Sequence, residues 1–186
     1  MTAAAPDGDA ASGLGVSLIV VTLRPGDQLT RFLESARKAI TAPYEVLIVD
    51  NGPDDGVAER IATDFAEARV LRSGGNIGYG RAANLGAAQA EADWLVVAND
   101  DLAWQPGSLD VLLEAIGRWP DAGSLGPAIL TPDGSLYPSA RALPSLGRGI
   151  GHAMCGWWWP ANPWTRSYRQ ERGTPTERAV GWLSGS

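Results

Sequence analysis

The 186-residue sequence lacks several features that define whole classes of protein. Its only cysteine, Cys155, excludes an internal disulfide, so a reducing compartment suits the chain better than a secreted, bridge-held scaffold. No apolar run approaches the roughly 18 residues that a membrane-spanning helix requires. The first fifteen residues contain neither Lys or Arg nor an apolar run of signal-peptide length, and we expect residues 1–15 to form a disordered tail.

Two common catalytic chemistries also lack their residues. The only histidine, His152, and Cys155 do not have the spacing of a zinc site, and both lie in an irregular tract, which disfavours a catalytic pair. The G-x-S-x-G motif of a nucleophile elbow is absent. The chemistry of this chain therefore depends on its carboxylates, amides and glycine-rich turns.

Charge is divided unevenly along the chain. Residues 1–136 carry 9 basic and 19 acidic side chains, whereas residues 137–186 carry 6 Arg and 2 Glu, which gives −10 and +4 within a total of −6. The basic segment also contains Trp157, Trp158, Trp159 and Trp164. Arg and Trp together suit an anionic lipid surface, but surface Arg and buried Trp are also common in irregular segments. Both interpretations remain open at this point.

Apolar, β-branched runs alternate with segments of helical periodicity. The runs are VSLIVVT, YEVLIVD, ARVLR and DWLVVA; the helical segments are DQLTRFLESARKAI, a stretch with Val57, Ile61 and Phe65, RAANLGAAQAEA, and a fourth over residues 106–119. This alternation predicts an α/β fold with a mostly parallel sheet and helices on both faces. We expect this core over residues 16–136, with a further apolar run near AGSLGPAIL. Residues 137–186 are expected to form an irregular, basic and Trp-rich segment and the start of the acceptor-binding part, with a further strand beginning in RAVGWLSGS.

Polar residues follow the predicted strands at the sheet edge where ligands of parallel α/β proteins bind. They are Thr22, Asp50, Asn51, Asn99, Asp100 and Asp101. The carboxylates of Asp100 and Asp101 directly follow an apolar strand, where burying their charge is costly. A Mg²⁺ or Mn²⁺ ion that bridges a carboxylate and a diphosphate would offset this cost, but an acidic cap of the next helix would explain the same residues.

Two other turns are candidate ligand contacts. Asp50 could accept the imide N–H of uracil or thymine, although Asp-Asn-Gly is also a good turn sequence. The glycine-rich loop from Gly74 to Gly80 permits close backbone approach to a ligand, and Asn84 lies about one helical turn beyond it. Gly78, Gly80 and Ala83 also satisfy the G-x-G-x-x-A motif of dinucleotide-binding folds, but that motif belongs after the first strand, whereas here it follows the third.

In order and spacing, VSLIVVT, YEVLIVDNG, GGNIGYGRAANLG and DWLVVANDD resemble family-2 glycosyltransferases of the GT-A fold. The resemblance implies that Thr22, Asp50, Asn51 and Asp100 bind the nucleotide and that the region of Asn76, Gly78 and Asn84 closes over it. It also implies that Asp101 binds Mg²⁺ or Mn²⁺. Rhamnosyl-type members often have Asn-Pro-Asp at the acidic triplet, so Asn99 and Asp101 match that pattern and Asp100 departs from it.

The later segments, RWPDAGSLGPAILTPDGSLYPSARALPSL, NPWTRSYRQER and GWLSGS, resemble cell-wall rhamnosyltransferases of this family. The resemblance implies dTDP-L-rhamnose as donor, a polyprenyl-diphosphate-GlcNAc acceptor, and a product that links peptidoglycan to arabinogalactan. It also implies a cytoplasmic enzyme bound peripherally to the inner face of the plasma membrane, with no nucleic-acid partner. The residues that it suggests for the acceptor or lipid are Tyr137, Arg141, Trp164, Tyr168, Arg169, Trp182 and Ser184.

The resemblance also bears on completeness and on rival functions. Family members carry a later acidic motif with the presumed base, so we expect the C-terminal half of the GT-A domain and the base to lie beyond Ser186. A chain of this kind would bind nucleotide sugar but transfer sugar poorly. A different nucleotide sugar as donor and a non-catalytic sugar-nucleotide-binding module remain alternatives.

Overall fold

The computed structural model describes residues 15–141 and 176–184, and it divides the chain into two compact units, Met1–Pro120 and Asp121–Ser186. The first unit contains, in order, β1 (Val16–Thr22), α1 (Asp27–Ala39), β2 (Tyr44–Asp50), α2 (Val57–Ala62), β3 (Ala68–Arg72), α3 (Tyr79–Ala87), β4 (Leu95–Asn99) and α4 (Ser108–Arg118). Among the described residues, no helix is both long enough and apolar enough to cross a bilayer.

The four strands of the first unit form one parallel sheet in the order β3-β2-β1-β4. β1 and β2 are buried along almost their whole length, as expected for central parallel strands covered on both faces. The predicted α/β architecture is confirmed, and the alternating β and α elements match the sequence pattern. The strand order places a topological switch point between β1 and β4.

Helices cover both faces of this sheet. On one face, the core contains Phe32 of α1, Ala58 of α2 and Leu109 of α4, packed with Leu18 and Ile48 of the central strands. On the other face, α3 is the helix that supplies the cover among the described residues. There Ala82 packs with Ile19, Val21, Leu47 and Val49. The polar ends of the strands therefore emerge from a well-packed core.

Three elements differ from the expectations. β4 was expected to be buried, but Leu95 is 43% exposed and Val97 is 47% exposed, because both lie on the α3 face of the sheet and α3 packs on β1 and β2. α2 ends before Phe65, where the N–H groups of Asp64 and Phe65 donate to carbonyls three residues back and tighten the turn. α3 begins two residues earlier than the expected segment and ends at Ala87, after which the chain turns toward β4.

The second unit contains two short antiparallel pairs. β5 (Ile129–Leu130) pairs with β6 (Leu136–Tyr137), and β7 (Ala140–Arg141) pairs with β8 (Trp182–Leu183). The division after Pro120 differs from the expected boundary at residue 136, because that boundary falls inside β6, whose pairing with β5 joins the residues on both sides of it. The expected tail lies outside the described residues except for Gly15, whose N–H donates to the Pro43 carbonyl at 2.7 Å.

Candidate functional site

Register brings the predicted site residues to one rim of the first unit. Thr22 at the end of β1 lies opposite Asp50 at the end of β2, and Asp50 lies opposite Arg72 at the end of β3. On the other side of β1, Val21 lies opposite Asn99 of β4. Parallel strands end on the same side of their sheet, so these residues and the turns that follow them line one edge. We call this edge the carboxyl rim. It extends across the sheet from Arg72, at the end of β3, to Asp101, which follows β4.

Thr22 and Asp100 join the two strands that flank the switch point. The Thr22 hydroxyl donates to Oδ2 of Asp100 at 2.5 Å, and the Thr22 side chain is buried. Burial raises the pKa of Asp100 above its ordinary value; the Thr22 hydrogen bond opposes this shift, and the negative charge of Asp101 adds to it. A positive group beside Asp100 would favour its ionised form.

Asp101 is exposed at the rim. Burial, and after it the negative charge of Asp101, raises the pKa of the hydroxyl of Tyr79, the first residue of α3. Within residues 15–141 and 176–184, no group of three or more His, Cys, Asp or Glu side chains could hold a metal ion. A cation at Asp101 would therefore take few ligands from the described protein.

Asp50 is more enclosed than the sequence suggested. Its side chain has no exposed surface; Oδ1 accepts the Gly52 N–H at 2.9 Å and Oδ2 accepts Nη1 of Arg72 at 2.8 Å. Arg72 also donates to the Glu59 carboxylate, from Nε at 2.8 Å and from Nη2 at 2.5 Å. Its Nη2 forms an ion pair with Asp54 at 3.0 Å. Each carboxylate oxygen of Asp50 retains one further lone pair for a donor.

Sequence reasoning missed Arg72, which is the cation that compensates the buried carboxylate of Asp50. An Arg at the end of an apolar run is usually a surface residue, so composition did not single it out. The available signal was positional. β2 and β3 are consecutive parallel strands, and aligning their ends places Arg72 beside Asp50.

Asn51, Asn76 and Gly78 are brought together in one hydrogen-bonded cluster. Asn51 is 4% exposed; its Oδ1 accepts the Ile77 N–H at 2.9 Å, and its Nδ2 donates to Oδ1 of Asn76 at 3.2 Å. Gly78 adopts a φ of 86° as the N-cap of α3, a conformation that favours glycine. Asn84 lies farther along α3, is exposed, and takes no part in these side-chain bonds.

The residues suggested for the acceptor or lipid lie in the second unit. Tyr137 is half-buried in β6, Arg141 of β7 pairs in register with Trp182 of β8, and the Ser184 N–H donates to the Ser139 carbonyl at 2.8 Å. Trp164, Tyr168 and Arg169 lie outside the described residues.

Comparison with known proteins places this chain among the glycosyltransferases. Residues 17–176 match the profile described as Glycosyl transferase family 2. The N-acetylglucosaminyl-diphospho-decaprenol L-rhamnosyltransferase of Mycobacterium tuberculosis is 51% identical over 180 residues, an alignment that covers 91% of this chain and 59% of the relative. An uncharacterized glycosyltransferase of Haemophilus influenzae is 27% identical over 106 residues, or 57% of this chain and 36% of that protein.

Solved structures agree on the fold. The crystal structure of S. aureus TarS residues 1–349 aligns with a TM-score of 0.50 at 17% identity, covering 69% of this chain and 41% of TarS. Its complex with UDP-GlcNAc aligns with the same TM-score at 18% identity, covering 62% of this chain and 38% of that chain. The predicted GT-A fold is confirmed, and the chain spans 59% of the length of its curated Mycobacterium relatives. The chain belongs to glycosyl transferase family 2.

Proposed function

We propose that this chain is the donor-binding part of a rhamnosyltransferase. In this proposal it binds dTDP-L-rhamnose, and the sugar is transferred to an N-acetylglucosaminyl diphosphate carried on a polyprenyl chain. The observation that carries the proposal is the 51% identity to the M. tuberculosis decaprenol-linked rhamnosyltransferase over 91% of this chain. The aligned residues include most of the first unit and therefore most of the carboxyl rim.

The nucleotide lies across the carboxyl rim at the switch point between β1 and β4, where ligands of such sheets bind. Asp50 supplies a carboxylate, which accepts hydrogen bonds, and the thymine imide N–H is a donor of matching character. Since the Asp50 side chain is enclosed, the base reaches it by displacing part of the turn from Gly52 to Asp54. Among the carboxylates paired with Arg72, Asp54 is the most accessible, with a side chain that is 88% exposed.

A divalent cation, Mg²⁺ or Mn²⁺, fits the donor set of Asp100 and Asp101. Mg²⁺ is usually held by one or two carboxylates together with substrate phosphates, and so does not need a cluster of three protein ligands. The raised pKa of Asp100 supports this assignment, since burial and the charge of Asp101 disfavour its ionised form without a compensating cation. When bound, the cation stabilises negative charge on the departing nucleoside diphosphate.

An inverting displacement also requires a base to take the proton of the acceptor hydroxyl. We assign neither Asp50 nor the Asp100–Asp101 pair to this role. Asp50 is enclosed and paired with Arg72, and the adjacent carboxylates are committed to the cation. The role of the described rim is to bind and orient the donor.

The acceptor proposal includes peripheral contact with the inner face of the plasma membrane by a cytoplasmic protein. Residues 137–186 carry 6 Arg against 2 Glu and contain several Trp, which suits a surface of anionic lipid headgroups. In this proposal Tyr137 and Trp182 belong to that surface. The diphosphate of the acceptor presents the same negative charge to the arginines.

The decisive experiment is competition for donor binding. A fluorescent dTDP derivative is bound to the chain with Mg²⁺ and is displaced by dTDP-L-rhamnose, UDP-galactose or UDP-GlcNAc. We expect dTDP-L-rhamnose to compete at least about tenfold better than either UDP-sugar, a difference of about 1.4 kcal/mol. Equal competition, or a preference for a UDP-sugar, contradicts the proposed donor.

Asp101→Asn tests the metal assignment in the same assay, with Asp93→Asn as the matched control. Both residues are exposed carboxylates beside β4, but Asp93 precedes the strand and Asp101 follows it. We expect Asp101→Asn to abolish the Mg²⁺ dependence of dTDP binding while circular dichroism stays unchanged, and Asp93→Asn to behave as wild type. If dTDP binding by Asp101→Asn still depends on Mg²⁺, Asp101 is not the metal ligand.

A further inference from the structure

The side chain of Asn51 is committed almost entirely to one loop. Its Oδ1 accepts the Ile77 N–H at 2.9 Å, and its Nδ2 donates to Asn76 Oδ1 at 3.2 Å. The Ser73 hydroxyl lies 3.1 Å from Oδ1, but its one proton is shared with the carbonyls of Asp50 and Gly75. An Asn side chain offers two donor and two acceptor positions, so one donor position is left, together with one acceptor position that faces the Ser73 hydroxyl. Asn51 is also 4% exposed, which leaves little of it accessible to a ligand.

Asn76 extends this arrangement by one step. Its Oδ1, which accepts from Asn51, also accepts the Gly78 N–H at 3.0 Å. A connected path of hydrogen bonds therefore runs from the end of β2, through Asn51 and Asn76, to the N-cap of α3. The Asn51 N–H also donates to the Thr22 carbonyl at 2.8 Å. This bond links the path to the end of β1, one of the two strands that flank the switch point.

Ordering the glycine-rich loop costs conformational entropy, which hydrogen bonds from Asn51 and Asn76 offset. Gly74, Gly75 and Gly78 have φ values of 78°, 128° and 86°, and glycine loses more conformational freedom on ordering than any other residue. The loop leads directly into α3, which begins at Tyr79. The shape of the loop thus sets where the start of α3 lies relative to the carboxyl rim.

We propose that Asn51, acting through Asn76, is a positioning residue that holds the glycine-rich loop in its nucleotide-binding shape and does not itself contact the nucleoside. This inference rests on the proposed function, because the bound ligand is taken to be a nucleoside diphosphate at the carboxyl rim. It replaces the sequence-based expectation that Asn51 is a direct contact. A direct contact and a positioning role predict different coupling between Asn51 and Asn76.

A double-mutant cycle on dTDP affinity measures that coupling in the 186-residue chain. The variants are Asn51→Ala, Asn76→Ala and the double variant, with Gln28→Ala, an exposed residue of α1, as control. Loss of buried hydrogen bonds of this kind weakens binding by about tenfold in each single variant. We expect the double variant to lose about tenfold as well, because one path is broken in all three. A loss of about a hundredfold, the product of independent effects, overturns the proposal.

Amide hydrogen exchange without ligand provides a test that does not depend on the identity of the nucleotide. Asn76 makes no bond to the Ile77 N–H, so a loss of Ile77 protection in Asn76→Ala can arise only through displacement of Asn51 or of the loop. We expect this loss, together with unchanged protection in the core strands. Unchanged Ile77 protection in Asn76→Ala overturns the inference. If wild type binds no dTDP but the exchange result holds, the proposed function fails and the support of the loop by Asn51 stands.

Discussion

Gly86 of α3 is a sharp test of how closely this helix packs on the sheet. A Cβ placed on Gly86 lies 2.5 Å from Cγ2 of Ile19 and 3.1 Å from Cγ2 of Val49. Both methyl groups belong to fully buried residues of the central strands, so neither can move into open space. Alanine at this position would gain up to about 1 kcal/mol of helix propensity, but overpacking a core typically costs about 1–3 kcal/mol, and this contact is severe.

We therefore expect Gly86→Ala to lower the free energy of unfolding by about 1–2 kcal/mol net. Gly80→Ala in the same helix is the matched control, because a Cβ at Gly80 meets nothing within 4 Å. It should leave stability unchanged or raise it slightly. Urea denaturation followed by circular dichroism measures both variants. If Gly86→Ala is as stable as Gly80→Ala, α3 does not pack against β1 and β2 as described.

Three further predictions concern charge. Arg72→Ala leaves the enclosed carboxylate of Asp50 without its cation, so we expect a lower midpoint of urea denaturation, against little change for the exposed Arg31→Ala. Burial acts to raise the pKa of Glu45, but hydrogen bonds, among them those from Ser17 and a backbone N–H, lower it overall. The ionised Glu45 side chain therefore stabilises the folded chain above pH 4.5, and this stabilisation is lost as the pH falls through the lowered pKa. The stability difference between wild type and Glu45→Gln should accordingly shrink on acidification, and a constant difference contradicts the shift. Finally, the chain should co-sediment with anionic but not zwitterionic vesicles at low salt, and equal binding to both removes the electrostatic account of membrane contact.

The central strands could be predicted because burial on both faces imposes a continuous apolar pattern. VSLIVVT and YEVLIVD coincide with β1 and β2, and ARVLR coincides with β3. The same pattern misled for β4, since an apolar run does not reveal whether both faces of a strand are covered. Periodicity also overestimated the length of α2. Phe65 is buried, but it lies in the turn that follows the helix.

The rim could be predicted in outline but not in its internal bonding. Strand ends placed Thr22, Asp50 and Asp101 on one edge, since parallel strands end on the same side. The pairing of Asp50 with Arg72 depends on the register between β2 and β3, which a linear pattern does not encode. In the same way, the hydrogen bonds from Asn51 to Asn76 and Ile77 could not be predicted, because these partners lie more than twenty residues away in the sequence and are adjacent only in the fold.

The most direct test of the central claim is calorimetric titration of the chain with dTDP, UDP and NAD, each with Mg²⁺, with Mn²⁺ and with neither. We expect dTDP to bind most tightly, with an affinity that depends on the divalent cation. NAD should not bind, because the G-x-G-x-x-A sequence lies after β3 and not after the first strand. Metal-independent binding of NAD, or a folded chain that binds none of the three nucleotides, would contradict the account.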